Sequence, residues 1–255
     1  MKRITIWILA LSLLCLCACG KRDEAPVKDR DTVRDAGVLR IGVTRCPGFS
    51  EYTGDEWEGF DIALAESLCR ELDLKPEFVE VDWDTRWDAL ENRTVDCLMG
   101  ALSATDALLD RADLTQTYLA SRPVLVTRSS ETLSGLNGIE IAVESGSAGE
   151  LAVSACLEGA RALLVSSQLE ALTLVEKGEA QAAVVDALVA RAALDDMGLV
   201  ILQDYDLGIE ELTIALRKGS DLTEDCNKAL RELQSGGKLE ELARDHGLTE
   251  ALIQG

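Results

Sequence analysis

Histidine is nearly missing from this chain: among 255 residues there is one, His246. A catalytic triad built on imidazole, or a zinc site built on several, has too little to draw on. Basic residues are also scarce, 25 Lys and Arg against 46 Asp and Glu, for a formal charge of −21. Nucleic acid is bound through clustered Lys and Arg that release counterions from phosphates, so it is excluded as a partner. Aromatics make up only 4%, and apart from Trp7 and Tyr205 all of them lie between Phe49 and Tyr118. No P-loop, no G-x-S-x-G and no H-E-x-x-H occurs, which removes the phosphate-cradling, serine-hydrolase and zincin signatures. After residue 19 no apolar run approaches the roughly 20 residues of a membrane helix. CxxC is absent too, and with it the zinc-ribbon and thioredoxin signatures.

What remains is 47% hydrophobic and 28% charged, the composition of a foldable globular chain. Met1-Lys2-Arg3 precedes an apolar run from residue 4 to 18, too short to span a bilayer and in keeping with a secretory signal. That run ends Leu16-Cys17-Ala18-Cys19. It resembles the lipobox of bacterial lipoproteins, with Cys17 a mild departure from the pattern. The resemblance implies removal of residues 1–18, acylation of Cys19, and an extracytoplasmic protein held on the bacterial membrane by a lipid anchor. Residues 20–34 are polar and charged, so 19–36 reads as a lipidated N-terminus and flexible tether. Beyond the signal five cysteines remain, Cys46, Cys69, Cys97, Cys156 and Cys226. Their odd number argues against a full disulfide framework, and Cys69, Cys97 and Cys226 sit on apolar faces as small core residues.

From residue 38 strand and helix patterns alternate. Strand signals fall at 38–44, 77–82, 95–99, 122–128, 138–143, 162–165, 181–185 and 199–202. Helical spacing appears at 61–72, 84–91, from 146 onward, 167–178, after 185, 220–234 and 238–246. Ser167-Gln-Leu-Glu170 is a capping box, and Gly178 closes the helix it opens. Such alternation predicts parallel sheets with helices on both faces, and the length suits two lobes.

Several segments then line up in order: Leu39-Arg-Ile-Gly-Val43, Pro47-Gly-Phe49, Trp57-Glu-Gly-Phe-Asp61, Val81-Asp-Trp-Asp84, Arg93-Thr-Val-Asp-Cys97, Gly100-Ala-Leu-Ser-Ala-Thr105, Tyr118, Gly146-Ser147, the run 177–186 and Ile214-Ala-Leu-Arg-Lys-Gly219. Over about residues 37–250 the chain resembles the family 3 extracellular solute-binding proteins, the amino-acid receptors of ABC importers. The resemblance implies an α/β, two-lobed type II periplasmic-binding-protein fold, two Rossmann-like lobes joined by two crossing strands. Lobe 1 takes 37–124 plus 214–255 and lobe 2 takes 129–210, with crossings near 125–128 and 212–216. It implies an amino acid or related small, cationic solute bound by lobe closure, no chemistry, no cofactor or metal, and a monomer that meets ABC permease subunits.

Carried over residue by residue, the resemblance makes Trp83 the aromatic that stacks on ligand, with Phe49 lining the cleft. Gly100, Ala101 and Ser103 offer backbone groups and a hydroxyl. Ser147, Ala148 and Gly149 open a helix whose amides suit a carboxylate. Asp186, at the end of an apolar strand, binds an ammonium; as a bare residue it equally reads as an N-cap. The family usually carries an arginine where this chain has Leu108, and Arg45 and Arg111 are the candidates to replace it. Glu144 with Asp186 would make the cleft acidic. Two rival readings stand: an enzyme resembling cyclohexadienyl or arogenate dehydratases, with Glu144 or Glu150 as acid, and a sensor that binds without transport.

Overall fold

The computed structural model describes residues 28–128 and 135–253, the side chain of Asp196 excepted. The signal, the lipobox and the tether up to residue 27 lie outside the described residues. The first lobe is built from α1 (Asp29–Ala36), β1 (Val38–Val43), the hairpin β2 (Glu51–Thr53) and β3 (Glu56–Glu58), α2 (Phe60–Glu71), β4 (Lys75–Glu80), α3 (Arg86–Glu91), β5 (Cys97–Met99), α4 (Asp106–Arg111) and β6 (Ala112–Leu114). The chain leaves it through β7 (Leu119–Ser121). The second lobe holds β8 (Pro123–Thr127), β9 (Glu140–Glu144), α5 (Ala148–Cys156), β10 (Arg161–Val165), α6 (Gln168–Lys177), β11 (Ala182–Asp186), α7 (Ala187–Ala193) and β12 (Val200–Leu202). Return is through β13 (Glu210–Leu212) to β14 (Ala215–Arg217), α8 (Thr223–Ser235) and α9 (Lys238–Asp245).

Each lobe carries a five-stranded sheet of the same plan, β4-β1-β5-β14-β6 and β10-β9-β11-β8-β12. The first three strands of each run parallel, joined by helices. The fourth, β14 or β8, is antiparallel to its neighbours. All-parallel sheets were the expectation, and the departure has a plain cause. β14 and β8 enter directly from the lobe crossings, without the crossover helix that a parallel neighbour requires.

The crossings themselves are β7 and β13, an antiparallel two-stranded sheet of their own. The crossing expected at 125–128 is therefore displaced: Leu125 lies in β8, every residue of which is buried inside the second sheet. A five-residue apolar run covered on both faces is a sheet-interior strand rather than a hinge. The return crossing overlaps the expected 212–216, ending at Leu212 before β14 joins the first sheet.

The tether also ends earlier than expected, because residues 29–36 form α1. Its anchor is both apolar and ionic: Val33 is buried in the first lobe's core. Fully buried Asp29 accepts hydrogen bonds from Arg93 Nη1 at 2.6 Å, Arg217 Nε at 2.9 Å and Ser220 Oγ at 2.8 Å. Burial pushes Asp29 up, but the Arg217 and Ser220 hydrogen bonds hold its pKa below the ordinary 3.8. The first lobe's main core gathers Ile41, Phe60, Leu64, Leu68 and Leu230 with Cys69, Cys97 and Cys226. The second lobe buries both faces of its sheet, Val126 with Leu172 on one and Ile141 with Val153 on the other.

Candidate functional site

The lobes are shut on one another. Trp83 Nε1 of the first donates to Ser145 O of the second at 2.6 Å, and Arg191 Nη1 of α7 donates to Gly247 O at 2.7 Å. Val189 of α7 is buried in the first lobe's core. Between the lobes lies a cavity of about 20 Å³, room for about one water centre. Trp83, Ala101, Ser103 and Leu108 line it from one side and Glu144, Gly146, Ser147, Ala148, Gly149, Gln168 and Asp186 from the other, with Glu210 of the crossing strand β13 closing the ring.

On the first-lobe wall the backbone turns sharply after β5, with φ of 121° at Gly100 and 52° at Ala101. A left-handed alanine is disfavoured by its Cβ, so something must hold it. Asp61, at the start of α2, does so: its Oδ2 accepts the Ala101 N–H at 2.8 Å and its Oδ1 accepts the Tyr118 hydroxyl at 2.9 Å. Burial pushes the Asp61 pKa up to about 6 despite these donors. Ser103 Oγ donates to Glu210 Oε2 at 2.5 Å, which ties the turn to the crossing strand.

The second-lobe wall is the N-terminus of α5. Ser147 caps it, its Oγ accepting the Glu150 N–H at 3.2 Å, while Glu150 Oε2 accepts the Gly146 N–H at 2.6 Å. Gly149 is pressed on the sheet; a Cβ there would stand 3.2 Å from both Val143 and Val184. Asp186 divides its carboxylate between two tasks. Oδ1 caps α7, accepting from Leu188 N at 2.6 Å and Val189 N at 3.3 Å. Oδ2 is buried with no hydrogen-bond partner.

Electrostatically the ring is acidic. Burial raises Glu144 to about 8, opposed by the Arg86 charge. Burial raises Glu210 to about 8, aided by Asp186, and Asp186 itself to about 6. Desolvated carboxyl groups packed this closely favour a cationic guest, which restores what burial takes away.

Of the residues expected at the site, Trp83, Ala101, Ser103, Ser147, Ala148, Gly149 and Asp186 share this cavity. Gly100 and Arg45 line a second space of about 10 Å³ that Trp83 and Glu144 also border. Arg45 is spent on Glu80 at 2.6 Å and is 57% exposed on the surface. Phe49 is not at the cleft: it is 1% exposed, packed edge-on against Phe60 in the first lobe's core. Arg111 is displaced as well, facing solvent from the end of α4, paired with Glu91 at 3.3 Å and lying over Trp87. Phe60 and Trp87 are buried in cores.

Four residues escaped the sequence reading. Asp61 stands only in a helix-opening segment and Gln168 only in a capping box, while Glu210 and Arg86 belong to no motif of the sequence. Gln168 Oε1 accepts the Asp186 N–H at 2.7 Å, which fixes the end of β11. A charged residue between two tryptophans, as in Trp83-Asp-Thr-Arg-Trp87, was the one local signal that pointed to Arg86.

Comparison with known proteins agrees with this architecture. The ABC transporter glutamine-binding protein GlnH of Bacillus subtilis (strain 168) is 25% identical over 95% of this chain and 96% of its own length. The arginine-binding extracellular protein ArtP of the same organism is 24% identical over 93% and 96%. The solved structure of the ancestral amino acid-binding protein AncCDT-1, a precursor of cyclohexadienyl dehydratase, superposes with a TM-score of 0.74 at 27% identity over 84% of this chain and 97% of that one. Bacterial extracellular solute-binding proteins, family 3, match residues 39–249. Two like-built lobes, a two-strand crossing and an acid-lined cavity between them thus have one family to explain them, and the chain belongs to the bacterial extracellular solute-binding proteins, family 3.

Proposed function

We propose that this protein is the extracytoplasmic receptor of an ABC importer, closing its lobes on an amino acid with a cationic side chain. The observation that carries the reading is Asp186, a buried residue of the cavity lining whose Oδ2 makes no hydrogen bond among the described residues, with the Ser121 hydroxyl as the side-chain donor near enough to lower its pKa. Such an atom is costly unless a donor reaches it, and an ammonium is a matching donor. Glu144 and Glu210 add two further carboxyl groups to the lining, which favours a second cationic group on the ligand. Relatives that bind glutamine and arginine support amino acids as the class. In this reading Cys19 carries the lipid anchor, residues 19–28 tether a monomer to the membrane, and permease subunits receive the ligand.

Thermal unfolding against arginine, lysine, glutamine and small carboxylates tests it. Ligand at about 100 times its dissociation constant adds about 2.7 kcal/mol, which raises the midpoint by about 5–10 °C at this size. A shift with basic amino acids, lost in Asp186→Asn, is the expected result; no shift with any amino acid sinks the reading. The kinship with a dehydratase precursor, together with carboxyls held protonated near neutrality at Glu144 and Glu210, favours the enzyme as second reading. Turnover of a cyclohexadienyl or arogenate substrate would establish it.

A further inference from the structure

The cleft's acids are matched by one buried cation that lines no part of the cavity and yet touches its walls. Arg86 opens α3 and is 6% exposed. Its guanidinium carbon lies 3.5 Å from the centroid of the Trp83 ring and 5.0 Å from that of Trp87. One nitrogen, Nη1, donates to the Trp83 carbonyl. Another, Nε, is buried without any partner. The third, Nη2, reaches across the lobe interface to the turn that opens α5, standing 3.7 Å from where a Cβ on Gly146 would be.

A guanidinium has five N–H donors, so most of this one's capacity is unspent. No carboxylate among the described residues comes within 4.0 Å of it. Glu144 and Asp84 attract it, Arg111 repels it, and burial, the largest influence, lowers its pKa to about 10. A buried arginine without a bound anion is an expensive arrangement, and what it lacks is a planar, two-oxygen acceptor. No other residue expected to do so supplies the positive charge: Leu108 is apolar and packs with Trp83 and Trp87, while Arg45 and Arg111 lie outside the cavity lining in surface pairs.

We propose that Arg86 holds the carboxylate of the bound amino acid, gripping it at the corner between Trp83 and the Gly146–Ser147 turn while Asp186 takes the ammonium; the assignment rests on the receptor reading above. The two walls then divide the ligand. The first lobe contributes the fork for the carboxylate and the second contributes the acid for the amine, so only a molecule carrying both charges bridges them fully.

Calorimetry with matched pairs tests this: arginine against agmatine and lysine against cadaverine, each pair differing only in the carboxylate. The wild-type protein is expected to prefer each amino acid to its amine by about 30-fold or more, the scale of one buried charge pair. Arg86→Gln should abolish that preference by weakening the amino acid alone, with amine affinity held within about threefold. Arg86→Lys keeps the charge and loses the fork, so it should fall between the two. Wild-type protein that binds amine as tightly as amino acid overturns the assignment. So does an Arg86→Gln protein that folds and loses both ligands equally, since that is what a packing role would give. Should Arg86→Gln fail to fold, an Arg86→Lys protein with unaltered preference overturns it as well. Binding of neither member by the wild type would strike at the receptor reading itself, a separate and recognisable failure.

Discussion

Asp186 caps α7 with one oxygen and in the proposed function holds the ligand's cation with the other, and a single atom exchange separates the two roles. An asparagine retains the Oδ1 that accepts the Leu188 and Val189 amides and is as good an N-cap as aspartate. Asp186→Asn should therefore keep the cap, raise the unfolding midpoint near neutral pH by removing a buried titrating carboxyl, and weaken a cationic ligand by about 100-fold, the cost of removing one partner of a buried charge pair. Asp186→Ala should in addition cost about 1 kcal/mol of stability for the lost cap. Calorimetry and thermal unfolding on the two variants check this, and equal midpoints for Asn and Ala would show that the cap contributes nothing. The cap at Asp186 was legible because its position at the end of an apolar strand and before a helix is local information, while the ligand role came from the resemblance to the family. The sequence told nothing of Glu210, whose burial depends on β13 pairing with β7, more than a lobe away along the chain.

At the scale of elements, α1 is the instructive case. Its composition is that of a solvated segment, and the expectation of a tether followed from that. Yet Asp29 is fixed by Arg93, Arg217 and Ser220, and Arg217 also donates to the Leu90 and Val95 carbonyls. Asp29→Ala takes from the buried Arg217 its closer carboxylate, leaving Asp96 at 3.4 Å, and should cost about 3 kcal/mol, readable as a fall in the denaturation midpoint; Asp29→Ala combined with Arg217→Met should recover part of it. A single variant as stable as the wild type would show that α1 is not held this way. Other elements were legible from their own residues. α6 is capped by Ser167 and closed by Gly178 in the left-handed conformation, as the capping box and glycine predict. β4 accepts Pro76 because it is an edge strand, where a missing N–H costs no ladder bond.

For the whole molecule, closure buries acids, so its stability depends on pH. Glu144 and Glu210 stand at about 8 against an ordinary 4.5, and Asp61 and Asp186 at about 6 against 3.8. The folded, closed protein then keeps protons that the unfolded chain releases. Stability from these groups is complete below pH 4 and is lost as pH rises through 6 and 8. The unfolding midpoint without ligand should fall between pH 5 and 8, and Glu144→Gln should flatten the slope. Asp29 runs the other way, since its lowered pKa withdraws stability only as pH drops below about 4. A cationic ligand should ionise the cleft acids and release protons at pH 7, visible as a dependence of calorimetric heats on the buffer's ionisation enthalpy. A midpoint that climbs from pH 5 to 8, or heats indifferent to buffer, would contradict the closed acidic cleft.

The sequence by itself determined the alternation of strand and helix and the α/β class, because periodicity, caps and turn glycines are short-range properties; the residues expected at the cleft came from the ordered segments that resemble the family. Only the tertiary structure decided where the chain crosses between lobes, which acids lose their water, and that Phe49 and Arg111 turn away while Arg86 turns in. Those outcomes depend on pairings such as β7 with β13 and on the contact of Trp83 with Ser145 across the closed lobes. Burial is set by what comes to lie against a residue in space, and no window of neighbouring sequence contains it.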